Sequence, residues 1–244
     1  MSNGIWAAAS GAMSQSLALD VAAENIANAS TPAYHVDRAV FREVMTRAQA
    51  KKNGGFNIRY GSVGTISTDP TAGAFVPTGR PLDVALKGGS YLVVSTARGE
   101  RYTRDGNIQL QADGTLTTRE GDPLLDPNRK PIKVAPTSKL GIAADGNVLV
   151  DGQPSGSLLV VSFADQSGLA KEGAKLFRAD ASAGKATPKA AELEVGALEA
   201  SSASPVKGMI DIVATTRAFE VCEKAIEAFR DADRKASTEL ITPK

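Results

Sequence analysis

The side chains best suited to chemistry are few and far apart in this sequence. Its 244 residues include a single histidine, His35, and a single cysteine, Cys222. A general base needs a reacting group within hydrogen-bond reach, and the pattern around His35 suggests no nucleophile as its partner. One His and one Cys cannot complete a structural zinc site. A lone Cys also predicts no internal disulfide, so the fold needs no oxidising compartment.

Other patterns that could support catalysis are too loose to predict it. S-x-x-K occurs at 182–185 and at 204–207 without the motifs that accompany a serine acyl-transfer site. Asp83, Asp105 and Asp126 could pair as carboxylates, but their spacing does not support this. No dinucleotide fingerprint, phosphate loop or zinc-protease motif is present. We therefore expect neither an enzyme nor a cofactor or metal site.

Charge and hydropathy exclude two further classes of partner. The chain has 28 basic and 27 acidic residues, a net charge of +1, which does not favour a nucleic acid. No apolar run approaches the roughly 18–20 residues that span a bilayer, so we expect no membrane insertion. The uncharged N-terminus lacks the preceding Lys or Arg and the continuous apolar stretch of a cleavable signal peptide.

A helix is predicted over residues 4–28, because apolar and small residues recur at spacings of three and four. Pro32 should end the helix before Thr31, with Asn25 or Asn28 capping its carbonyls or adopting a left-handed turn. The predicted contact stripe consists of Ile5, Ala9, Ala12, Ser16, Leu19, Ala23 and Ile26.

The next two segments carry weaker signals. A short helix is predicted from the spacing of Phe41, Val44, Met45 and Ala48, and it should end at the break over 51–55. Residues 56–80 are rich in Gly, Thr, Ser and Pro, which favours an extended connector.

Short β-type runs separated by turn residues extend from 81 to about 195. Asp-Gly dipeptides begin at 105, 113, 145 and 151 and predict hairpin turns rather than calcium loops, whose acidic spacing they lack. The stretch "NIQLQADGTLTT" alternates on both sides of its turn and predicts a hairpin. About ten strands without an intervening helix indicate an all-β domain.

A second long helix is predicted after Ser204, a plausible N-cap, with Pro205 at the first helical position. Its stripe repeats at three and four and places Cys222 as a small apolar side chain rather than a reactive thiol. Trp6 fits either a packing or an interface role. The stripe consists of Ile212, Thr215, Phe219, Cys222, Ile226, Phe229, Asp233, Ala236 and Leu240.

The fold class is therefore predicted to be α+β: an all-β central domain with long N- and C-terminal helices packed together as a coiled coil. Two helices alone leave apolar surface uncovered, and open-ended contacts between neighbours generate filaments.

Three ordered stretches resemble the axial rod and hook proteins of the bacterial flagellum. The first, "SGAMSQSLALDVAAENIANASTPAY", is similar to the family's N-terminal signature, with Ala33 where the family usually has Gly. That alanine predicts that the position does not adopt a positive φ. The second stretch begins "TGRPLDVALKGGSYLVVST". The third, "GALEASSASPVKGMIDIVATTRAFE", has Ser202 and Ala203 where the family commonly has Asn-Val.

The resemblance implies a structural, non-enzymatic subunit, most like the proximal-rod type. It implies export by the flagellar type III apparatus, assembly with itself and other rod proteins in the periplasmic rod, and terminal helices that form an inner tube. The implied segments are 1–36, an N-terminal rod helix and helix stop; 37–80, a partly extended connector; 81–195, a β-rich outer domain; and 196–244, a C-terminal rod helix. The residues expected at subunit interfaces are Ile5, Leu19, Asn25, Ile26, Asn28, Thr31, Tyr34, Pro205, Ile212, Phe219, Ile226 and Phe229.

Two alternatives remain open. A distal-rod or hook-type axial protein would carry the same three stretches. A β-type ligand-binding module with oligomerising helices would need an aromatic platform, and only 5% of the residues are aromatic.

Overall fold

The protein has an α+β fold in which two long terminal helices flank a mostly β region. The computed structural model describes residues 3–44, 60–62, 66–135 and 139–239. Helix α1 is Asn3–Ala27 and helix α2 is Pro205–Glu239. Both predicted long helices are confirmed over these bounds; Leu240, at the predicted end of the second helix, lies outside the described residues.

Helix α2 begins as its sequence predicts. Pro205 is the first helical residue, where its missing N–H costs no hydrogen bond. The Ser204 carbonyl accepts the first helical bond from the Gly208 N–H at 2.9 Å. The Ser204 hydroxyl accepts a long bond of 3.4 Å from the Lys207 N–H, so Ser204 acts as the N-cap.

The strands are short, as frequent turn residues require. They are β1 (Asp37–Ala39), β2 (Arg42–Val44), β3 (Tyr60–Ser62), β4 (Ile66–Thr68), β5 (Phe75–Pro77), β6 (Val84–Leu86), β7 (Ser90–Thr96), β8 (Gly99–Thr103), β9 (Ile108–Leu110), β10 (Leu116–Thr118), β11 (Leu140–Ile142), β12 (Asn147–Val150), β13 (Gln153–Ser157), β14 (Val160–Ser162), β15 (Leu169–Glu172), β16 (Leu176–Ala179), β17 (Thr187–Pro188), β18 (Leu193–Val195) and β19 (Ala197–Glu199).

The short helix predicted around Phe41 is wrong where the structure describes it. Residues Arg42–Val44 form β2, which pairs antiparallel with β3. Cross-strand hydrogen bonds between the two segments outweigh a weak helical periodicity of only four apolar positions. The rest of that predicted helix and the break at 51–55 lie outside the described residues.

A six-stranded sheet in the order β15-β16-β8-β7-β14-β17 organises the central region. Strand β7 contributes to both faces of the sheet, because its side chains alternate between two apolar clusters. Leu92 and Val94 pack in one cluster with Val84 and Ile108. Tyr91 and Val93 pack in the other with aromatic partners such as Phe177. Both faces of β7 are therefore covered, which explains its continuous apolar sequence.

Three of the four Asp-Gly dipeptides form the predicted hairpin turns. The predicted hairpin is β9–β10, with Leu116 opposite Leu110 and Gly114 at φ +83°. The dipeptides at 145 and 151 connect β11 to β12 and β12 to β13. The dipeptide at 105 differs: a Cβ on Gly106 would lie 1.7 Å from the Val84 carbonyl oxygen. This glycine therefore permits close backbone approach rather than a hairpin.

Contacts divide the chain into two compact units. One contains residues 1–27, 37–67 and 204–244, and the other contains 28–36 and 68–203. The chain thus passes between units after residues 27, 36, 67 and 203. The four-segment division expected from the sequence stays a prediction.

Candidate assembly site

The two long helices meet through glycines, in the unit that contains both. A Cβ on Gly4 would lie 2.6 Å from the Phe229 ring, and one on Gly11 would lie 3.2 Å from the Cys222 sulfur. At the other end, a Cβ on Gly208 would lie 2.4 Å from the Ile26 side chain. Since the start of α1 meets the end of α2 and the reverse, the helices run antiparallel. Their close approach depends on the missing side chains.

The stripe predicted for α2 is the side of the helix that meets α1. Ile212, Thr215, Phe219, Cys222 and Ile226 are all half-buried, whereas most of their helical neighbours are exposed. Phe229 is more open, with 39% of its surface exposed. Cys222 is confirmed as a packing side chain on this face. Asp233 is exposed, and nothing is described of the Ala236 side chain.

The stripe predicted for α1 needs a correction. Ser16 and Ala23 are exposed, although Ala12 is buried and Ile5, Leu19 and Ile26 are half-buried. The residues in closest contact with α2 include Gly4 and Gly11, about a quarter turn around the helix from the predicted centre. A hydrophobicity pattern misses such a contact line because glycine carries no apolar side chain.

Each helix also carries large apolar side chains that remain exposed. On α1, Trp6 and Met13 are 58% and 66% exposed and lie roughly half a turn from the glycine line. On α2, the exposed set lies about opposite the α1-facing stripe. We call it the outer stripe, and it consists of Val206, Met209, Ile210, Val213 and Val221.

Sequence reasoning missed the outer stripe as a candidate site. The signal was present in "PVKGMIDIV", where apolar residues occupy two faces of one helix instead of one. Exposed apolar surface that is contiguous on a helix indicates an interaction surface. The predicted interface residue Pro205 is exposed beside this stripe.

Asn25 fastens the end of α1 to the start of β1. Its side-chain amide donates to the Asp37 carbonyl at 2.8 Å and accepts from the Asp37 N–H at 3.0 Å. The side chain therefore pairs with a strand residue as another strand would, rather than capping the helix. Asn28 does shape the turn that follows: its carbonyl accepts from the Thr31 N–H, and its Oδ1 from the Thr31 hydroxyl.

Ala33 adopts φ +57°, so the expectation of a negative φ at this position was wrong. The residue is 1% exposed, and its N–H donates to the Glu199 carbonyl at 2.8 Å. Tyr34, the next residue, has no exposed surface and accepts at its carbonyl from the Ser202 N–H. Tertiary contacts thus hold an alanine in a conformation that usually needs glycine.

A buried ionic cluster lies beside this turn, and no sequence pattern predicted it. Arg104 donates through Nε to Glu199 at 2.8 Å, and its Nη2 lies 2.7 Å from the same carboxylate. Its remaining N–H groups bond the carbonyls of Gly88, Ser90 and Leu86. All five donors of this 3% exposed side chain are therefore used, as a buried guanidinium requires.

His35 completes the cluster. Its Nε2 lies 3.0 Å from Glu199 Oε1, and the two side chains are 2% and 0% exposed. Burial opposes ionisation of Glu199, but hydrogen bonds from His35 and Arg104 outweigh it and hold the pKa of that carboxyl below its usual value. The sequence suggested no partner for His35; in the fold its ring lies against a buried carboxylate.

Lys171 covers the same turn from strand β15. Its ammonium donates to the His35 carbonyl at 2.7 Å and lies 3.5 Å from the centre of the Tyr34 ring. Such a cation–π contact stabilises both partners when water is excluded. Two consecutive residues of the 28–36 segment are thus held by one side chain.

The three aspartates do not form a carboxylate pair. Asp105 bonds Lys175 at 2.6 Å, and burial raises the pKa of Asp105 although the ammonium opposes the shift. Asp83 accepts from the Thr78 hydroxyl at 2.8 Å. Asp126 accepts backbone N–H groups in a turn. In the described structure none of the three bonds another of these aspartates.

The described ranges contain neither a bilayer-spanning helix nor a cluster of metal-ligating side chains. Neither α1 nor α2, over the residues described, combines the length and hydropathy needed to cross a bilayer. Among described residues, no group of three or more His, Cys, Asp or Glu side chains is arranged to hold a metal ion.

The fold and the helix pair define a class of protein: a β-rich protein with paired terminal helices that carry further exposed apolar surface. Comparison with known families agrees. Residues 5–35 match the family described as "Flagella basal body rod protein", and residues 85–150 match "Flagellar hook protein FlgE/F/G D1 domain".

Individual relatives align with almost the whole chain. The flagellar basal-body rod protein FlgF of Salmonella typhimurium is 36% identical, over 94% of this chain and 95% of its own length. FlgF of Escherichia coli is 34% identical over the same shares. The rod protein FlgG of Bacillus subtilis is 30% identical over 93% and 94%. The chain therefore belongs to the flagellar basal-body rod protein family.

Proposed function

We propose that this chain is a structural, non-enzymatic subunit of the bacterial flagellar basal-body rod, at a proximal-rod position. The observation that carries the proposal is the outer stripe together with Trp6 and Met13. These side chains give the helix pair a second apolar surface that the described part of the chain leaves exposed. The relatives, which are named flagellar basal-body rod proteins, support this assignment.

Assembly would proceed through the helices. In this proposal α1 and α2 pair as an antiparallel coiled coil, and the exposed faces contact the helices of neighbouring subunits, both identical copies and other rod proteins. Each large apolar side chain so covered contributes about 1.5–3 kcal/mol. Because the contacting surfaces differ, the association is heterologous, and such contacts build a helical shaft where their rotation does not close into a ring. Such a shaft transmits torque, with the helices lining an export channel.

The predicted interface residues divide into three groups on this proposal. Ile5, Leu19, Ile26 and the α2 stripe of Ile212, Phe219 and Ile226 mainly hold the helix pair, with their remaining exposed surface available to neighbours. Phe229 and Pro205 are open enough to contact another subunit directly. Asn25, Asn28, Thr31 and Tyr34 act indirectly, by fixing the turn after α1, because their described contacts are within the chain.

The proposal extends to the place of the protein in the cell. Segments 1–36 and 196–244 would form the inner tube, 81–195 an outer domain and 37–80 the connector between layers. The subunit would reach the periplasmic rod through the flagellar export apparatus, without a cleavable signal peptide and without inserting in the membrane.

A distal-rod or hook-type position is the second candidate. The match of residues 85–150 to a domain shared by FlgE, FlgF and FlgG supports this alternative. Gold labelling of an epitope-tagged chain in isolated basal bodies separates the two. Label close to the membrane rings supports the proximal position, and label at the hook junction supports the alternative.

The outer stripe is tested by placing charge on it. Ile210→Asp combined with Val213→Asp should abolish swimming in a strain lacking the native protein and remove the chain from purified basal bodies. Thr216→Asp is the matched control, since it adds a carboxylate to an exposed, non-apolar position of the same helix. Normal motility and normal incorporation of the double variant would contradict the proposal.

A further inference from the structure

Both ring nitrogens of His35 face oxygen acceptors. Nδ1 lies 3.1 Å from the Asp69 carbonyl oxygen, and Nε2 lies 3.0 Å from Glu199 Oε1. A neutral imidazole carries one N–H and therefore bonds only one of them, whereas the imidazolium cation bonds both. With the side chain 2% exposed, water cannot readily replace the missing bond.

Glu199 is not available to donate the second proton. Its Oε1 accepts from the Gly73 N–H at 3.1 Å as well as facing His35, and its Oε2 accepts from Arg104. Every described neighbour of the carboxylate is thus a donor, which is the environment of an ionised group. The proton between His35 and Glu199 therefore belongs to the imidazole.

Charged groups of both signs lie around the ring. Glu199 on β19 favours the cation, whereas Arg104, which follows β8, opposes it. Lys171 on β15 adds a second positive charge at the His35 carbonyl. Strand β16 contributes an apolar neighbour: the Phe177 ring lies edge-on to the imidazole, with 6.0 Å between the ring centres.

We propose that His35 is a pH-dependent latch on the turn of residues 28–36. The protonated ring ties this turn to both Asp69 and Glu199, and loss of the proton removes one of the two bonds. Beside the ring, Val36 donates its N–H to the Ser202 hydroxyl, and Ala33 adopts a strained φ of +57°. Deprotonation therefore loosens a turn that is already held against its own backbone preference.

The single histidine makes the test direct. In a ¹⁵N-labelled full chain, NMR of the His35 ring should show two protonated nitrogens at about pH 5.5 and one at about pH 8.5. Over the same range, the hydrogen-exchange protection of the Ala33 and Val36 amides, corrected for the intrinsic pH dependence of exchange, should fall about tenfold. The change in ring protonation and the fall in amide protection should have the same midpoint pH.

His35→Gln is the control, because glutamine occupies the position without titrating. Its amide protection at the turn should not change with pH. If this variant does not fold, the comparison of the two midpoint pH values in the unaltered protein still tests the latch. A ring with one protonated nitrogen throughout, a ring that titrates without any change in protection, or a variant with the same pH dependence would each overturn the proposal.

Discussion

The ring of Phe229 occupies the space in which any side chain on Gly4 would have to stand. The separation from an added Cβ would be 2.6 Å, closer than non-bonded carbon atoms approach. The same relationship recurs between Gly208 and Ile26 and, less tightly, between Gly11 and Cys222. Glycines at three positions along the pair thus allow the close approach of the two terminal helices, and the order of these contacts shows that the helices are antiparallel.

Gly11→Cys should form a disulfide with the native Cys222 when the protein is mildly oxidised. The Cβ of the new side chain would lie 3.2 Å from the Cys222 sulfur, which is within the geometry of a disulfide. The bond closes a loop of most of the chain, so the product should migrate faster on a non-reducing gel. Intact mass should also show the loss of two hydrogens.

Met13→Cys provides the matched control for the cross-link. Met13 is on the same helix but is 66% exposed and faces away from Cys222. It should give no intramolecular bond under the same conditions. Equal cross-linking of the two variants, or none with Gly11→Cys, would show that the helices do not pair in this register.

Ala33→Val should destabilise the protein by roughly 2–3 kcal/mol, whereas Ala33→Gly should be nearly neutral. A β-branched side chain is strongly disfavoured at φ +57°, and the site is 1% exposed, so the added carbons have no open space. Glycine relieves the backbone strain but gives up a buried methyl group and gains freedom when unfolded. Urea unfolding followed by circular dichroism measures both variants. A valine variant as stable as the alanine protein would mean that the turn does not hold this φ.

Glu199 should contribute stability that is lost in acid. Burial opposes its ionisation, yet bonds from His35 and Arg104 hold its pKa below 4.5, the ordinary value. The unfolded glutamate therefore binds a proton at higher pH than the folded one. The contribution is fully present above the unfolded pKa and declines as pH falls through the folded pKa.

Glu199→Gln should therefore lower stability by about 2–4 kcal/mol at neutral pH and flatten its decline below pH 4.5. Calorimetric melting temperatures between about pH 3 and 7 measure this. Glu194→Gln is the control, since its salt bridge to Lys87 joins two half-exposed side chains and should change little. An equal acid response in both variants would indicate that the buried cluster is not responsible.

The sequence predicted the elements whose causes are local. Helices α1 and α2 repeat at three and four residues, and Ser204 and Pro205 mark the start of the second. The β9–β10 hairpin follows from strand alternation around Asp-Gly. Each of these patterns acts on residues that are neighbours in the chain, so it can be recognised in a single sequence.

Only the tertiary structure decided which residues meet. His35 and Glu199 are 164 positions apart and Arg104 lies 95 positions from Glu199, so no local spacing could predict their cluster. The contact face of α1 lies on glycines, which contribute no hydrophobic signal, and the outer stripe was hidden by the stronger stripe on the same helix. Ala33 is an example of how distant contacts decide a local conformation. Its own preference is for negative φ, and the surrounding hydrogen bonds and burial, contributed by distant parts of the chain, override that preference.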